Sequence, residues 1–208
     1  MKRLTVITLL AWMMLLGTTA ASSATVLTFD EIKTTGDNQI DVPDGYGGLT
    51  WQNIWATNTD DETRGPGYRN GTVSGSIVAF NADGRPGTIS DRLFDFNGAY
   101  LTAAWNNGLN IQVQGYRGGN LAYDRTVVVD TTAPTFFLFD YAGVDRLTFD
   151  SFGGTNAGYG GVGFHFAMDN FTFNETTPIP EPSTFLLLGA GIMAVACLRK
   201  GMTRSQVR

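Results

Sequence analysis

Few side chains in this sequence could perform catalysis. The single histidine, His165, lies between two phenylalanines in a strand-like run, so alternation turns its ring away from both. A Ser-His-Asp triad would have to use His165, and no Gly-x-Ser-x-Gly motif presents a nucleophilic serine. The single cysteine, Cys197, lies in an apolar segment near the C-terminus, so the preceding residues hold neither a disulfide nor a thiolate zinc site. These residues predict a protein that is not an enzyme. A glycosidase-like pair of carboxylates stays open, because any two of the acidic residues could meet across a cleft.

Aromatic side chains with polar neighbours suggest a second chemistry, the binding of sugars. Sugar rings stack on aromatic faces, and amides, carboxylates and guanidinium groups bond to their hydroxyls. The candidate aromatic residues are Tyr46, Trp51, Trp55, Tyr68 and Trp105. The polar residues near them in sequence are Arg64, Arg69, Asn70 and Asn106. Because alternating strands bury half of their side chains, some of these aromatic residues are expected in the core instead.

Short runs of strand-forming residues, separated by glycine-rich turns, position these side chains. The runs cover residues 26–29, 49–55, 76–80, 94–96, 100–105, 109–114, 121–123, 126–129, 135–139, 144–149 and 164–173. Asn107-Gly108 predicts a hairpin between the runs on either side of it, and Gly118-Gly119 predicts another turn. No helical periodicity of useful length interrupts this series. The pattern therefore predicts an all-β fold, a jelly-roll-like β-sandwich.

Residues 153–163 form a glycine-rich segment just before the last run. The segment lacks the Gly-Lys-Ser/Thr ending and the following helix of a phosphate-binding loop. It is therefore interpreted as a long connection, of the kind that forms a rim where ligands bind.

The charge of the middle of the chain limits its partners. Residues 25–177 contain 8 basic and 18 acidic side chains, a net charge of −10. Such a domain repels phosphate backbones, so nucleic acid is not an expected partner. Calcium and neutral or basic polymers remain compatible with this charge, which also keeps an exported protein soluble.

The N-terminus has the three parts of a secretory signal peptide, predicted over residues 1–24. Lys2 and Arg3 precede an apolar run from Leu4 to Leu16, and small residues follow it. The run is shorter than the ~20 residues that a membrane-spanning helix needs. Cleavage is expected after Ala24 or Ala21.

The C-terminal 33 residues, 176–208, have a different composition. A proline-containing linker is followed by an apolar run over residues 185–198 and then by a basic end that includes Arg199. Positive charge after an apolar run keeps that end in the cytoplasm, so the run predicts a single transmembrane helix, although a short one.

This tail resembles the PEP-CTERM sorting signal. The matching features are Pro180-Glu181-Pro182, the apolar helix and the basic end with Arg199. The resemblance implies recognition by an exosortase, with this protein as substrate, in a Gram-negative bacterium that makes exopolysaccharide. It also implies an exported protein, anchored in the membrane at least transiently and then held at the cell surface or in the extracellular matrix. Whether the tail is cleaved or retained stays open.

The middle domain, residues 25–175, resembles jelly rolls of the galactose-binding or lectin-like kind. The resemblance rests on residues 27–30, on residues 45–51 (Gly-Tyr-Gly-Gly-Leu-Thr-Trp) and on residues 168–173. Such domains often join their first and last strands around a structural Ca²⁺, which takes 6–8 oxygen ligands. The residues implied as its ligands are Asp30, Glu31, Asp169 and Asn170.

The sequence thus favours an exported, non-catalytic surface or matrix protein whose β domain binds or packs with polysaccharide. Two alternatives remain. The first is a structural or adhesive module without a small ligand, and the second is an enzyme that acts on polysaccharide.

Overall fold

The computed structural model describes residues 24–34, 39–61 and 65–174, which are mainly β-strands. The strands are β1 (Thr25–Leu27), β2 (Gln39–Asp41), β3 (Thr50–Gln52), β4 (Ile54–Asn58), β5 (Ile77–Asn81), β6 (Gly87–Ala103), β7 (Asn106–Asn107), β8 (Leu109–Arg117), β9 (Asn120–Val129), β10 (Thr135–Phe152), β11 (Thr155–Asn156) and β12 (Phe166–Phe173). A five-residue helix, α1 (Pro66–Asn70), and two 3-10 turns, Tyr46–Gly48 and Ala82–Gly84, lie between strands.

Both targeting segments lie outside the described residues, apart from Ala24. These are the signal peptide predicted over residues 1–24 and the sorting tail predicted over residues 176–208. In the part of the chain that is described, no helix is long and apolar enough to cross a membrane.

The long strands β6 and β10 organise the fold. Ten strands form one sheet in the order β2-β4-β5-β12-β6-β10-β8-β9, with β1 paired to β12 and β3 to β6. The β6–β10 pairing shifts register three times between Leu138 and Arg146. β3 pairs with the first half of β6, and β12 pairs with its second half. β8 pairs with the second half of β10. Because such bulges bend strands, the sheet folds into two layers, and the predicted all-β sandwich is confirmed.

An aromatic core fills the space between the layers. Phe96 of β6 is fully buried and stacks on Phe171 with ring centroids 4.8 Å apart and on Phe139 at 5.1 Å. Ile111 of β8 and Ala79 of β5 belong to the same buried cluster. Strands from both halves of the sheet therefore share one core.

A smaller cluster covers the other face of β5 and holds the candidate site. Val78 and Phe80 of β5 pack with Tyr68, Ala104 and Ala167 on this face. Helix α1 begins with Pro66, whose fixed φ suits a first helical residue.

Gly67 fixes the position of α1 against the sheet. A Cβ at Gly67 would lie 2.2 Å from the carbonyl oxygen of Ala104 and 2.5 Å from that of Ala103. These neighbours are backbone atoms that cannot rotate away, so glycine lets the helix lie directly on β6 and brings Tyr68 onto the sheet.

Two expectations about strand pairing have different outcomes. β1 and β12 pair antiparallel, from Thr25 with Phe173 to Leu27 with Phe171, so the expected meeting of the first and last strands is confirmed. The hairpin predicted at Asn107-Gly108 is wrong. β6 ends at Ala103, and β7 pairs with β11 instead. Asn107 stabilises this arrangement, since its Oδ1 accepts hydrogen bonds from the backbone N–H and the hydroxyl of Thr131.

Candidate functional site

A pocket of about 260 Å³ lies over the smaller cluster. Its size is close to the lower end of the roughly 300–1,000 Å³ that is typical of small-molecule sites. It brings together three of the five aromatic candidates, Trp55, Tyr68 and Trp105, with His165. The lining residues are Gln39, Trp55, Gly65, Tyr68, Phe80, Asp83, Trp105, Val162 and His165. We refer to this site as the Trp105 pocket.

The aromatic rings of the Trp105 pocket stand nearly perpendicular to their neighbours. Tyr68 meets Trp105 at a centroid distance of 5.6 Å and an interplanar angle of 85°. Tyr68 also meets Phe80 at 5.4 Å and 79°, and Trp55 meets Phe80 at 6.3 Å and 77°. Tyr68 and Phe80 are buried, whereas Trp55 and Trp105 are partly exposed. The two tryptophans are therefore the aromatic rings that a ligand can reach.

Two glycines leave room for the Trp105 ring. A Cβ at Gly65 would lie 2.1 Å from Cζ3 of Trp105, and a Cβ at Gly161 would lie 2.5 Å from its Cδ2. Only glycine lets both backbones approach the indole this closely. Val162, next to Gly161, is 78% exposed and lines the pocket, so the glycine-rich segment does form part of a rim.

Asp83 and His165 supply the titratable groups of the pocket. Asp83 lies in the turn between β5 and β6 with a left-handed φ of 54°, which Asp tolerates better than most residues. Burial lowers the pKa of His165, and the nearby Asp83 carboxylate opposes this shift in part. His165 is thus uncharged at neutral pH, and Asp83 is the one carboxylate among the described lining residues.

Tyr46 and Trp51, the other two aromatic candidates, do not line the pocket. Trp51 is only 5% exposed and packs against Phe29 and Phe171 in the main core. Its indole N–H donates to the backbone carbonyl of Tyr46 over 2.9 Å. The Tyr46 hydroxyl accepts from the Phe29 N–H and donates to Glu31, so both residues are used in holding the domain together.

Three of the polar candidates for sugar hydroxyls bind the protein's own backbone. Arg69 Nε donates to the carbonyl of Thr59, Asn70 to that of Thr131, and Asn106 to that of Gly153. Arg64, the fourth candidate, lies outside the described residues. Apart from the aromatic residues, the polar side chains that do line the pocket are those of Gln39, Asp83 and His165.

Three of the four residues implied as calcium ligands, Asp30, Asp169 and Asn170, meet at the loop before β5. Asp30 Oδ1 accepts from the backbone N–H groups of Ser76 and Ile77, at 3.0 and 3.3 Å. Asp169 Oδ2 accepts from those of Val73 and Ser74, at 2.7 and 3.0 Å. The Ser74 hydroxyl donates to Asn170 Oδ1, at 2.8 Å.

A bulge in β12 orients the last two of these residues. The β12–β6 register shifts between Asp169 and Thr172, and Asn170 has a left-handed φ of 48°. Burial raises the pKa of the fully buried Asp169, and the Asp30 carboxylate adds to this, while the backbone N–H groups oppose it.

Glu31 does not join this group, because its carboxylate accepts from the hydroxyl of Tyr46. Within residues 24–34, 39–61 and 65–174, no three His, Cys, Asp or Glu side chains lie close enough together to hold a metal ion. A calcium site here would have to draw on carbonyl and amide oxygens, so the calcium site stays a prediction.

The sequence analysis did not select Gln39, Phe80, Asp83 or His165 for the pocket. Phe80 is in a run in which every residue is buried, which no alternation pattern can reveal. The Asp83-Gly84 pair was a visible turn signal, but its place beside the tryptophans depends on long-range strand pairing.

Comparison with known proteins identifies the tail. Residues 178–200 match the PEP-CTERM protein-sorting motif. The chain thus carries the sorting signal of exosortase substrates, as its Pro180-Glu181-Pro182 segment indicated. It is an exported protein that is sorted to the cell envelope.

No curated protein matches this chain. Solved structures show distant similarity to it. A DUF4465 family protein from Bacteroides caccae ATCC 43185 is 16% identical, with a TM-score of 0.46 over 76% of this chain and 95% of that chain. TmCBM61, solved in complex with beta-1,4-galactotriose, is 13% identical, with a TM-score of 0.33 over 67% of this chain and 98% of that chain.

Proposed function

We propose that this protein is a non-catalytic, exosortase-processed surface protein whose jelly-roll-like β domain binds a sugar unit of extracellular polysaccharide in the Trp105 pocket. The observation that carries the proposal is the convergence of two partly exposed tryptophans with Gln39, Asp83 and His165 around one small pocket.

The composition of the pocket suits a sugar ring. The apolar C–H face of a sugar gains by leaving water for an aromatic surface, and its hydroxyls then need polar partners. Trp55 and Trp105 offer the surfaces, while the Gln39 amide, the Asp83 carboxylate and the His165 ring offer donors and acceptors. Polar groups and aromatic rings share the wall of the pocket, so the ring face and the hydroxyls of a sugar unit would both have partners there.

Replacing Trp105 by alanine is expected to weaken binding of the host's extracellular polysaccharide roughly tenfold, because a large aromatic contact surface is lost. Trp55→Ala is expected to act in the same direction. Affinity is measured by titrating polysaccharide fragments into the purified protein and recording the heat released. Tyr116→Ala is the matched control, since Tyr116 is a partly exposed aromatic residue on β8, a strand that does not contribute to the pocket.

Each outcome selects one function. Binding that depends on both tryptophans and proceeds without release of new chain ends supports the proposal. If nothing binds, the domain is a structural or adhesive module and the proposal fails. If the polysaccharide binds but neither tryptophan variant changes its affinity, the ligand does not occupy the Trp105 pocket and the proposal fails as well. Release of new reducing ends would mean an enzyme that acts on polysaccharide.

We further propose that both ends of the chain are removed during export. The protein recovered from its host is expected to begin near Thr25 and to end near Pro180-Glu181-Pro182, which intact-mass spectrometry measures directly. The PEP-CTERM match at residues 178–200 supports this proposal. A mass that retains every residue through Arg208 would mean that the tail is a permanent anchor.

We also propose that Ca²⁺ binds near the β1–β12 pair. The support is that Asp30, Asp169 and Asn170 all reach the loop of residues 73–77. The Asp30 carboxylate contributes to the raised pKa of Asp169, and a cation placed between the two groups would offset this repulsion.

A further inference from the structure

We propose that the sugar unit bound in the Trp105 pocket is positively charged, as is an amino sugar with a free ammonium group. This inference rests on the proposed function and specifies its ligand. It follows from the kinds of group in the pocket wall, namely four aromatic rings, one carboxylate and an uncharged imidazole.

The aromatic rings form an environment suited to a cation. The face of an aromatic ring carries negative charge density, and rings set at right angles present their faces in different directions. Neighbouring rings in the pocket meet edge to face, with interplanar angles of 77–85°. These rings belong to Trp55, Tyr68, Phe80 and Trp105. Trp55 and Trp105, the two rings that a ligand can reach, offer aromatic surface to an ammonium group, and the buried Tyr68 and Phe80 pack beside them.

Asp83 provides the matching negative charge. Its turn is fixed in place, because a Cβ at the neighbouring Gly84 would lie 3.0 Å from the Phe164 nitrogen and 3.4 Å from Cε1 of His165. Asp83 is exposed at this turn and lines the pocket together with His165. A sugar with a carboxylate group would be repelled at this position, whereas an ammonium group would be attracted.

The net charge of the whole domain also favours cationic ligands. Residues 25–177 carry a net charge of −10, which draws cationic polymers toward the whole surface. This general attraction is screened by salt, whereas contact with the faces of partly buried rings is screened much less. A cationic sugar held in the Trp105 pocket should therefore keep part of its preference at high ionic strength.

The test compares the hexamers of β-1,4-linked glucosamine and of N-acetylglucosamine, which share the same sugar backbone. Each ammonium group of the first is replaced in the second by an uncharged acetamido group. The purified protein is titrated with each at an ionic strength of about 0.15 M and again at about 0.5 M. The glucosamine hexamer is expected to bind about tenfold more tightly at the lower salt, with a smaller preference remaining at the higher salt. Asp83→Asn should lower the preference to about threefold or less.

The control separates the pocket from the overall charge of the domain. Asp91→Asn removes the same charge from an exposed residue of β6 that does not line the pocket, and it should leave the preference unchanged. Equal affinity for the two hexamers would overturn the inference, and so would equal effects of Asp83→Asn and Asp91→Asn. In either case tryptophan-dependent binding of the host polysaccharide would leave the proposed function standing. Loss of that binding as well would remove both.

Discussion

Replacing Asp169 by alanine is expected to lower the free energy of unfolding by about 3 kcal/mol. Asp169 is fully buried in β12, and its carboxylate accepts from the backbone N–H groups of Val73 and Ser74. Alanine leaves both donors without a partner inside the protein, at a cost of about 1–3 kcal/mol each. Removal of a buried carboxylate returns part of that cost, because burial disfavours the charged form.

Asp169→Asn separates the hydrogen bonds from the charge. The amide oxygen can keep the bonds from Val73 and Ser74, but the NH₂ group then faces the N–H of Asn170, which donates to the carboxylate in the native protein. The expected cost is about 1 kcal/mol, clearly below that of alanine. Urea unfolding of both variants measures the difference. Equal costs would mean that the charge, rather than the acceptor geometry, stabilises the loop of residues 73–77.

The pH dependence of the stability that Asp169 contributes has a definite sign. The folded protein raises the pKa of Asp169 above its ordinary value of 3.8, so the folded state binds this proton more tightly than the unfolded state. The contribution of Asp169 to stability is therefore largest below pH 3.8 and is lost as the pH rises through the folded pKa. As the pH is lowered toward 3.8, the free energy of unfolding of the wild type should rise relative to that of Asp169→Asn.

These variants also test the proposed calcium ion. A ligand that binds only the folded state raises the melting temperature. Added Ca²⁺ should therefore raise it in the wild type and have little effect in Asp169→Asn. If chelator and Ca²⁺ leave the melting temperature of the wild type unchanged, the site does not exist.

Local patterns in the sequence were enough to predict the class of fold. Alternation identified the segment of β8, and the Gly118-Gly119 turn does connect β8 to β9. Local signals also divided β6 and β10 into shorter pieces, because bulges interrupt the alternation that a strand normally shows. The run at residues 49–55 divides for a related reason, since Asn53 adopts a left-handed φ of 55° between β3 and β4.

Composition alone could not distinguish pocket aromatics from core aromatics. Trp51 and Trp55 are four residues apart, yet one packs between Phe29 and Phe171 and the other lines the pocket. The difference arises from the break at Asn53, which places the two tryptophans on different strands. The pocket also depends on Gly65, Gly67 and Gly161, whose role is to admit neighbouring atoms that lie far away in sequence.

Phe96→Ala is expected to lower the free energy of unfolding by about 4 kcal/mol, an effect similar in size to that of Asp169→Ala. Phe96 is fully buried where β6 passes from one layer of the sandwich to the other, and its ring stacks on Phe171 and Phe139. Truncation removes these contacts and leaves a cavity, which costs 3–5 kcal/mol for a buried Phe. Paired strands on both sides of the cavity limit how far it can collapse. The loss in free energy of unfolding should therefore lie in the middle of that range or above it.

The matched control is Phe136→Ala on the neighbouring strand β10. Phe136 is 42% exposed and contacts Tyr100 on the outer face of the sheet, so its removal should cost less than about 1 kcal/mol. Urea unfolding with an unchanged m-value gives both differences in stability. If Phe96→Ala costs no more than Phe136→Ala, the two layers are not held together by this aromatic stack. Because the Trp105 pocket lies on the opposite face of β5, its binding of polysaccharide should be retained wherever the Phe96 variant is still folded.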